Sequence, residues 1–208
     1  MQTLLVANRK GGVGKTMIAV TLASALANRG ARVAIADADR QQSALDWVSR
    51  RPADAAPITG LSWRKDGEIG KHPKRLDWLV IDAPGALRGG RAADLVAEAR
   101  ALLMPVQPGI FDVNSTRAFL ASIERLKRVR KGKVGVHVIA NRVRARSRTA
   151  AALQAALDSL GHPALAEISE RTVYGDLANQ GLGIFDRRTK ALDALKAEWH
   201  PVLAALGG

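Results

Sequence analysis

Short apolar segments recur along the chain, each long enough for one buried strand. Five of them have few polar interruptions, which is typical of strands covered on both faces of a parallel sheet. They are TLLVAN at 3–8, RVAIADAD at 32–39, LDWLVIDAPG at 76–85, ALLMPV at 101–106 and KVGVHVIAN at 133–141. A weaker candidate, ITGLSW at 58–63, lies inside the least regular region, 51–75, which we interpret as a variable loop region.

The intervening segments have the apolar spacing of amphipathic helices. Gly30 is placed to end the first helix, and Pro201 is expected to bend the last. The predicted helices are 15–29, 41–50, 112–130, 147–160 and 189–206. Alternating strands and helices predict an α/β fold, with a mostly parallel twisted sheet and helices on both faces. We expect a single domain over residues 1–208.

Composition excludes several kinds of site. The 208 residues include no cysteine, which rules out disulfides, Cys-ligated zinc, iron–sulfur clusters and thiol catalysis. The N-terminal MQTLLVANRKGG is typical of a buried strand that enters a loop, not of a signal peptide. No apolar run approaches the ~20 residues that span a bilayer. We therefore expect a cytoplasmic protein.

A glycine-rich loop follows the first predicted strand and precedes the first predicted helix. A phosphate-binding loop requires this context, because backbone N–H groups and the helix N-terminus then point at the anion. We expect Lys15 to reach the β- and γ-phosphates and the Thr16 hydroxyl to ligate Mg²⁺. A ligand-free glycine turn is the alternative. The predicted nucleotide-binding residues of the loop are Lys10, Gly11, Gly12, Val13, Gly14, Lys15, Thr16 and Met17.

KGGVGKT at 10–16 resembles the deviant Walker A motif of the ParA/MinD family of ATPases. The resemblance implies a P-loop NTPase fold, with ATP and Mg²⁺ as cofactors. It also implies an ATP-dependent homodimer in which Lys10 reaches the partner's nucleotide and acts in hydrolysis together with Lys15. Without the rest of the motif, Lys10 would be interpreted as an exposed lysine beside a loop.

Two acidic segments extend the resemblance. DADRQQS at 37–43 implies that Asp39 orients the attacking water and that Asp37 lies near the metal. Asp39 could instead, or in addition, cap the helix predicted at 41–50. The family usually has proline at the position of Arg40, so the local turn is expected to differ.

Two later positions complete the site that the resemblance implies. LVIDAPG at 79–85 resembles the Walker B strand, with Asp82 holding Mg²⁺ through a water and Gly85 acting as a switch that senses the γ-phosphate. Asn141 matches a position that reads the adenine edge in relatives.

The formal net charge of +13 favours polyanionic partners. Arg142, Arg144, Arg146 and Arg148 occupy alternate positions, so in an extended loop they would all lean one way and contact phosphates without reading sequence. Arg187 and Arg188 form a second cluster. We predict that these six residues bind double-stranded DNA non-specifically. A solvated basic surface is the alternative.

The sequence therefore predicts a ParA-type ATPase that dimerises with ATP, binds the nucleoid and segregates plasmid or chromosomal DNA. It resembles the short ParA proteins that lack an N-terminal helix-turn-helix domain. A ParB-like or cargo adaptor protein would stimulate its weak hydrolysis.

Three alternatives remain open at this stage. The first is an ATPase that positions a protein cargo, such as a chemoreceptor array or carboxysome, on the nucleoid. The second is a MinD-like division-site regulator that cycles on the membrane. We expect no stable membrane insertion, because the apolar face of 189–206 is more simply explained by packing on its own domain. The third is a ligase or synthetase on the same fold.

Overall fold

All strands of the described residues belong to one parallel sheet in the order β3-β2-β4-β1-β5-β6-β7. The computed structural model describes residues 1–85, 87 and 89–207. The strands are β1 (Gln2–Val6), β2 (Val33–Asp37), β3 (Ile58–Ser62), β4 (Trp78–Asp82), β5 (Ala101–Val106), β6 (Gly135–Val143) and β7 (Ala164–Ser169). From β1 the chain passes to β2 and β3 on one side, returns to place β4 between β2 and β1, and then runs outward through β5, β6 and β7 on the other side, so its direction reverses beside β1. In such sheets ligands bind beyond the carboxyl ends of the strands at the reversal point.

Helices cover both faces of this sheet. They are α1 (Lys15–Ala27), α2 (Ser43–Ser49), α3 (Gly89–Glu98), α4 (Ile110–Glu124), α5 (Lys127–Arg130), α6 (Arg148–Ser159), α7 (Val173–Ala178), α8 (Asp193–Ala197) and α9 (His200–Ala205). Short 3₁₀ turns lie at Asp66–Glu68, Ile184–Asp186 and Lys190–Leu192. The predicted α/β class, with a parallel sheet between two helical layers, is confirmed.

The two faces of the sheet form two separate core clusters. On β1, Leu4 and Val6 pack into one cluster, whereas Leu5 packs into the other. This alternation follows from the two-residue period of a strand. Because both neighbours of β1 are strands and both its faces are covered, almost every residue of the strand is buried. The loop that follows β1 therefore begins from a rigid base.

Two predicted helices are each broken in the structure. The segment predicted as 112–130 divides into α4 and α5, because Leu126 is extended (φ −69°, ψ 133°) and packs its side chain into the core. The segment predicted as 189–206 is a 3₁₀ turn followed by α8 and α9. Pro201 lies in the first turn of α9, where its missing N–H costs nothing, so it begins a new helix and does not bend a continuous one.

The apolar face predicted for this tail is nevertheless buried in the domain. Trp199 and Val202 are fully buried, and the Trp199 indole N–H donates to the Tyr174 hydroxyl at 3.0 Å. Among the described residues, no helix has both the length and the apolarity required to cross a bilayer.

Candidate functional site

The glycine-rich loop between β1 and α1 is held in place by asparagine side chains at both of its ends. The Asn8 amide donates to the Pro105 carbonyl at 2.7 Å, and the Asn8 side-chain oxygen accepts from the Lys10 N–H at 3.0 Å. At the other end, the buried Asn141 amide donates to the Val13 carbonyl at 2.7 Å. The carboxyl ends of β5 and β6 thus fix the shape of the loop.

Gly14 is the point of closest approach in this loop. Its φ is 91°, in the left-handed region, and a Cβ built there would lie 2.3 Å from the Asn141 amide nitrogen. Neither the backbone conformation nor the space permits a side chain. The predicted requirement for glycine therefore has a specific cause at this position.

Lys15 is buried beneath the loop. Its ammonium donates to the Lys10 carbonyl at 3.2 Å, so the side chain turns back towards the start of the loop. Burial lowers the pKa of Lys15, while the charges of Asp82 and Asp39 oppose that shift. The structure therefore places one desolvated cation at the loop, close enough to Asp82 and Asp39 for their charges to act on it.

Asp82 lies at the end of β4, directly beside Asp37 at the end of β2 in the strand register. Its Oδ2 accepts from the Thr16 hydroxyl at 2.6 Å, whereas its buried Oδ1 has no hydrogen-bond partner in the described part of the chain. Burial raises the pKa of Asp82 to about 7; the Thr16 hydrogen bond opposes this and the nearby Asp37 charge adds to it. A partnerless carboxylate oxygen at this depth is suited to a cation or its bound water.

The carboxylate of Asp37, which we predict to lie near the metal, accepts three backbone hydrogen bonds. Its Oδ1 accepts from the Asp39 N–H, and its Oδ2 accepts from the N–H groups of Ala44 and Leu45 at 2.8 and 3.2 Å. Burial raises the pKa of Asp37, and these backbone hydrogen bonds oppose the shift. The first turn of α2 is thus capped by Asp37 and not by Asp39.

Asp39 instead joins the loop after β2 to the loop after β4. Its Oδ2 accepts from the Gly85 N–H at 3.0 Å, and its Oδ1 accepts from the Gln41 N–H at 3.0 Å. A Cβ on Gly85 would lie 3.8 Å from the Gly11 Cα, so this glycine faces the glycine-rich loop between β1 and α1. Asp39 and Gly85, the predicted water-orienting residue and switch, are therefore in direct contact with each other.

Two cavities adjoin the loop. One of about 360 Å³ lies over the loop and is lined by Gly11, Gly12, Gly14, Lys15, Thr16, Met17, Asp39, Gln41, Gly85 and Arg142. The second, of about 560 Å³, is more apolar and extends past Met17 and Asn141 towards Tyr174 and Trp199. A small cavity over a glycine-rich loop, next to a larger and mainly apolar one, is the arrangement that a nucleotide requires. The phosphates would occupy the first cavity and the base the second.

Residues 4–184 match the model of the CobQ/CobB/MinD/ParA nucleotide binding domain. The chain belongs to this family. The ParA/MinD resemblance seen in the sequence is therefore confirmed. Within the family, the chain is 32% identical over 212 residues to the maintenance of carboxysome distribution protein A of Gloeobacter kilaueensis, covering 99% of this chain and 94% of that protein.

Two other relatives in the ParA/MinD family are named, one for carboxysome distribution and one for chromosome partitioning. The maintenance of carboxysome distribution protein A of Halothiobacillus neapolitanus is 30% identical over 188 residues, covering 88% of this chain and 86% of that protein. The chromosome-partitioning ATPase Soj of Thermus thermophilus is 27% identical over 158 residues, covering 61% and 63%.

Solved structures of the ParA/MinD family share the fold along the whole chain. Apo McdA of Cyanothece superposes with a TM-score of 0.79 at 20% identity, covering 100% of both chains. MinD in the MinC:MinD complex of Aquifex aeolicus gives 0.76 at 20% identity, covering 100% of this chain and 96% of that one.

Magnesium fits the oxygen donors of this ParA/MinD-family site. The Thr16 hydroxyl and the Asp82 carboxylate are hard ligands of the kind that Mg²⁺ prefers, and Mg²⁺ commonly takes the rest of its shell from waters and substrate phosphates. Among the described residues, no group of three or more histidine, cysteine, aspartate or glutamate side chains could hold a metal by itself. The site is thus suited to a metal that arrives with a nucleotide.

The predicted row of arginines is wrong in its geometry. Arg142 and Arg146 have left-handed φ values of 54° and 59°, and Arg148 begins α6, so the segment turns instead of extending. Arg144 forms an exposed ion pair with Glu170 at 2.6 Å. Arg187 and Arg188 are exposed as expected. The six residues do not form a single straight ladder of charge.

Two polar residues that make contacts near the site were not predicted from the sequence. Arg91 on α3 donates to the carbonyls of Ala38, Trp63 and Arg64 at 3.2, 2.7 and 3.0 Å, which ties the helix after the Gly85 loop to the loop that carries Asp39. Gln107 donates to the Gly12 carbonyl at 3.1 Å. Both lie in loops or helices that follow strand ends, but a lone arginine or glutamine there has no distinctive spacing.

Proposed function

We propose that this ParA/MinD-family chain is an ATPase that distributes a protein cargo over the nucleoid, with a carboxysome-like assembly as the cargo. The observation that carries the proposal is the similarity, over 88% and 99% of the chain, to two proteins named for the maintenance of carboxysome distribution. This was an alternative in the sequence analysis, behind DNA segregation. An identity of 30–32% over nearly the whole chain favours it now.

In the proposed cycle, the loop and Lys15 bind the ATP phosphates, and Thr16 and Asp82 would hold Mg²⁺. Magnesium would neutralise charge on the transferring phosphoryl group. Asp39 orients the attacking water, since its carboxylate already lies at the phosphate cavity beside Gly85. The contact between Gly85 and Asp39 gives the γ-phosphate a direct way to move the loop after β4.

Lys10 acts on the nucleotide of the partner subunit in this proposal. It is partly exposed at the mouth of the site, and its own carbonyl holds Lys15. A second cation at the γ-phosphate stabilises the charge of the transition state and makes dimerisation depend on ATP. An adaptor protein that brings the cargo would stimulate hydrolysis and release the dimer.

DNA is the surface on which the cargo would be spread. The chain carries 32 Lys and Arg against 19 Asp and Glu, and Arg146, Arg148, Arg187 and Arg188 are exposed. Phosphate contacts of this kind need no base recognition. Joining two subunits through ATP would double the contacts and make DNA binding both tighter and more sensitive to salt.

DNA segregation is the second candidate. It is favoured by the similarity to the chromosome-partitioning ATPase Soj and by 30% identity over 118 residues to the protein ParA of Rhizobium radiobacter, which covers 54% of this chain. A membrane cycle of the MinD kind has less support, because the apolar side chains of the tail, including Trp199 and Leu203, are already buried in the domain.

An imaging experiment in the native host separates the two candidates. Cells carrying Lys15→Ala would be compared with wild type and with Lys74→Ala, a change at an exposed lysine far along the chain from the loop. We expect clustered or unevenly inherited protein assemblies and unchanged replicon inheritance with Lys15→Ala only. Loss of plasmids or anucleate cells with normally spaced assemblies would overturn cargo distribution in favour of DNA segregation.

A further inference from the structure

Arg142 lies in a strained irregularity at the end of β6. Asn141 pairs with Ile168 and Val143 with Ser169, so Arg142 is the extra residue of a bulge between β6 and β7. Its φ of 54° is left-handed, which costs a side-chain-bearing residue about 1 kcal/mol. Bulges of this kind re-aim a side chain and are common beside binding sites.

The bulge places Arg142 where the two cavities of the site meet. Met17 and Arg142 are the residues that line both the 360 Å³ cavity over the loop and the 560 Å³ cavity beyond Asn141. If phosphates occupy the first cavity and the base occupies the second, the sugar and the first phosphate must lie where the two cavities meet. At this junction the ligand would lie between the apolar thioether of Met17 and the guanidinium of Arg142.

The neighbours of Arg142 leave its charge available for a ligand. Asn141, directly before it, is anchored to the Val13 carbonyl, so the start of the side chain has a fixed position relative to the loop. Arg144, two residues later, is paired with Glu170. Within the described part of the chain, the Arg142 side chain is exposed and makes neither a hydrogen bond nor an ion pair.

We propose that Arg142 binds the nucleotide at the junction of sugar and phosphates, with its guanidinium donating to an oxygen of the first phosphate. The planar fork of arginine suits a phosphate better than the single point charge of lysine does. This inference rests on the proposed ATP site and removes Arg142 from the predicted DNA-binding set. Because ATP and ADP share the first phosphate, the contact serves both equally, unlike contacts to the γ-phosphate.

Titration with the fluorescent N-methylanthraniloyl derivatives of ATP and ADP, in Mg²⁺, tests the proposal. We expect Arg142→Ala to raise the Kd about tenfold or more for both nucleotides by the same factor, and Arg142→Lys to restore part of the loss. Arg130→Ala, which removes an exposed arginine at the end of α5, is the matched control and should bind both nucleotides as wild type does. Arg142→Gly relieves the left-handed φ, so it should fold at least as well as wild type and bind as weakly as Arg142→Ala.

A second readout separates nucleotide from DNA contacts. At saturating ATP, the slope of log affinity for duplex DNA against log salt should be unchanged in Arg142→Ala, whereas loss of a DNA phosphate contact would reduce it by about 0.9. If wild type binds both nucleotides and Arg142→Gly binds them equally well, the inference is overturned and the ATP site stands. If wild type binds neither nucleotide, the proposed function and this inference both fail.

Discussion

At the scale of single residues, the site depends on contacts between loops that are distant in sequence. Asn141 holds the loop through the Val13 carbonyl and fills the space beside Gly14, while Thr16 holds one oxygen of Asp82. Each contact joins α1 or its preceding loop to the end of a different strand. The geometry of the loop is therefore a property of the sheet as much as of its own glycines.

Gly14→Ala tests this dependence. A Cβ would lie 2.3 Å from the Asn141 amide nitrogen at a φ of 91°, so the asparagine must move or the backbone must change. We expect a loss of about 1–3 kcal/mol in the free energy of unfolding and at least a tenfold loss in nucleotide affinity. Urea unfolding and nucleotide titration measure the two effects.

Gly175→Ala provides the control for that experiment. Gly175 lies inside α7 with no heavy atom within 4 Å of a built Cβ, so alanine there should be neutral or stabilising. A Gly14→Ala protein as stable as Gly175→Ala, with wild-type nucleotide affinity, would show that the Asn141 contact does not constrain the loop.

Several residues of the site could be predicted from sequence because motif and context agree. Lys15 and Thr16 follow a glycine loop, and Asp82 ends a buried strand, so their neighbourhood follows from parallel strands meeting at one edge. The arginines from 142 to 148 could not be placed in this way. Their alternate spacing implies a shared side only in an extended chain, and the turn there depends on the pairing of β6 with β7, a strand that was not predicted.

At the scale of elements, the strands with two buried faces were predicted well, the half-exposed β3 only as a weaker candidate at 58–63, and β7 not at all. β7 alternates buried and exposed positions and includes Glu167, so it lacks the continuous apolar run of β5. α3 begins with two glycines, which leave few residues to show the apolar spacing of a helix in the sequence. Breaks inside apolar helices, as at Leu126, depend on where the core accepts a side chain, and local sequence does not specify that.

A buried ion pair joins Asp186, in the segment after α7, to Arg51, which follows the C-terminal end of α2. The Arg51 guanidinium binds the Asp186 carboxylate at 2.7 and 3.0 Å, with side-chain exposures of 5% and 2%. Asp186 also accepts from the Asn28 amide at 2.6 Å and from the Gly183 N–H at 2.8 Å. Burial alone would raise the pKa of Asp186, but these donors together lower it.

Asp186→Asn should therefore destabilise the protein in a pH-dependent way. At pH 7 the change leaves Arg51 buried without its anion, at a cost of about 3–5 kcal/mol. A carboxylate with a lowered pKa contributes fully above its unfolded value of about 3.9 and loses that contribution as pH falls through the lower folded value. The difference between wild type and variant, measured by urea unfolding at several pH values, should thus be largest at neutral pH and shrink below about pH 4.

Asp176→Asn is the comparison for this prediction, since Asp176 is exposed on α7. Its stability should follow wild type at every pH. A gap between wild type and Asp186→Asn that stayed constant from pH 7 down to pH 3 would contradict the assignment of the effect to the charge of Asp186.

At the scale of the whole molecule, the strand order brings the chemistry to one edge of the sheet. Val6, Asp37 and Asp82 end neighbouring strands in register, so the loops that follow β1, β2 and β4 converge. That edge carries Lys10 and the phosphate cavity, and in our proposal it is the face across which two subunits close. In the same proposal, ATP acts through this face to switch the chain onto DNA.

Duplex DNA binding in the presence of ATP, ADP or no nucleotide tests this switch. Wild type, Lys10→Ala and the exposed-site control Lys74→Ala would be compared at two salt concentrations, with dimerisation followed in parallel. We predict that ATP tightens DNA binding of wild type and Lys74→Ala at least tenfold over ADP, with a steeper salt dependence, and that Lys10→Ala shows neither the tightening nor the dimer. Equal, nucleotide-independent binding by all three proteins would show that ATP does not control DNA binding.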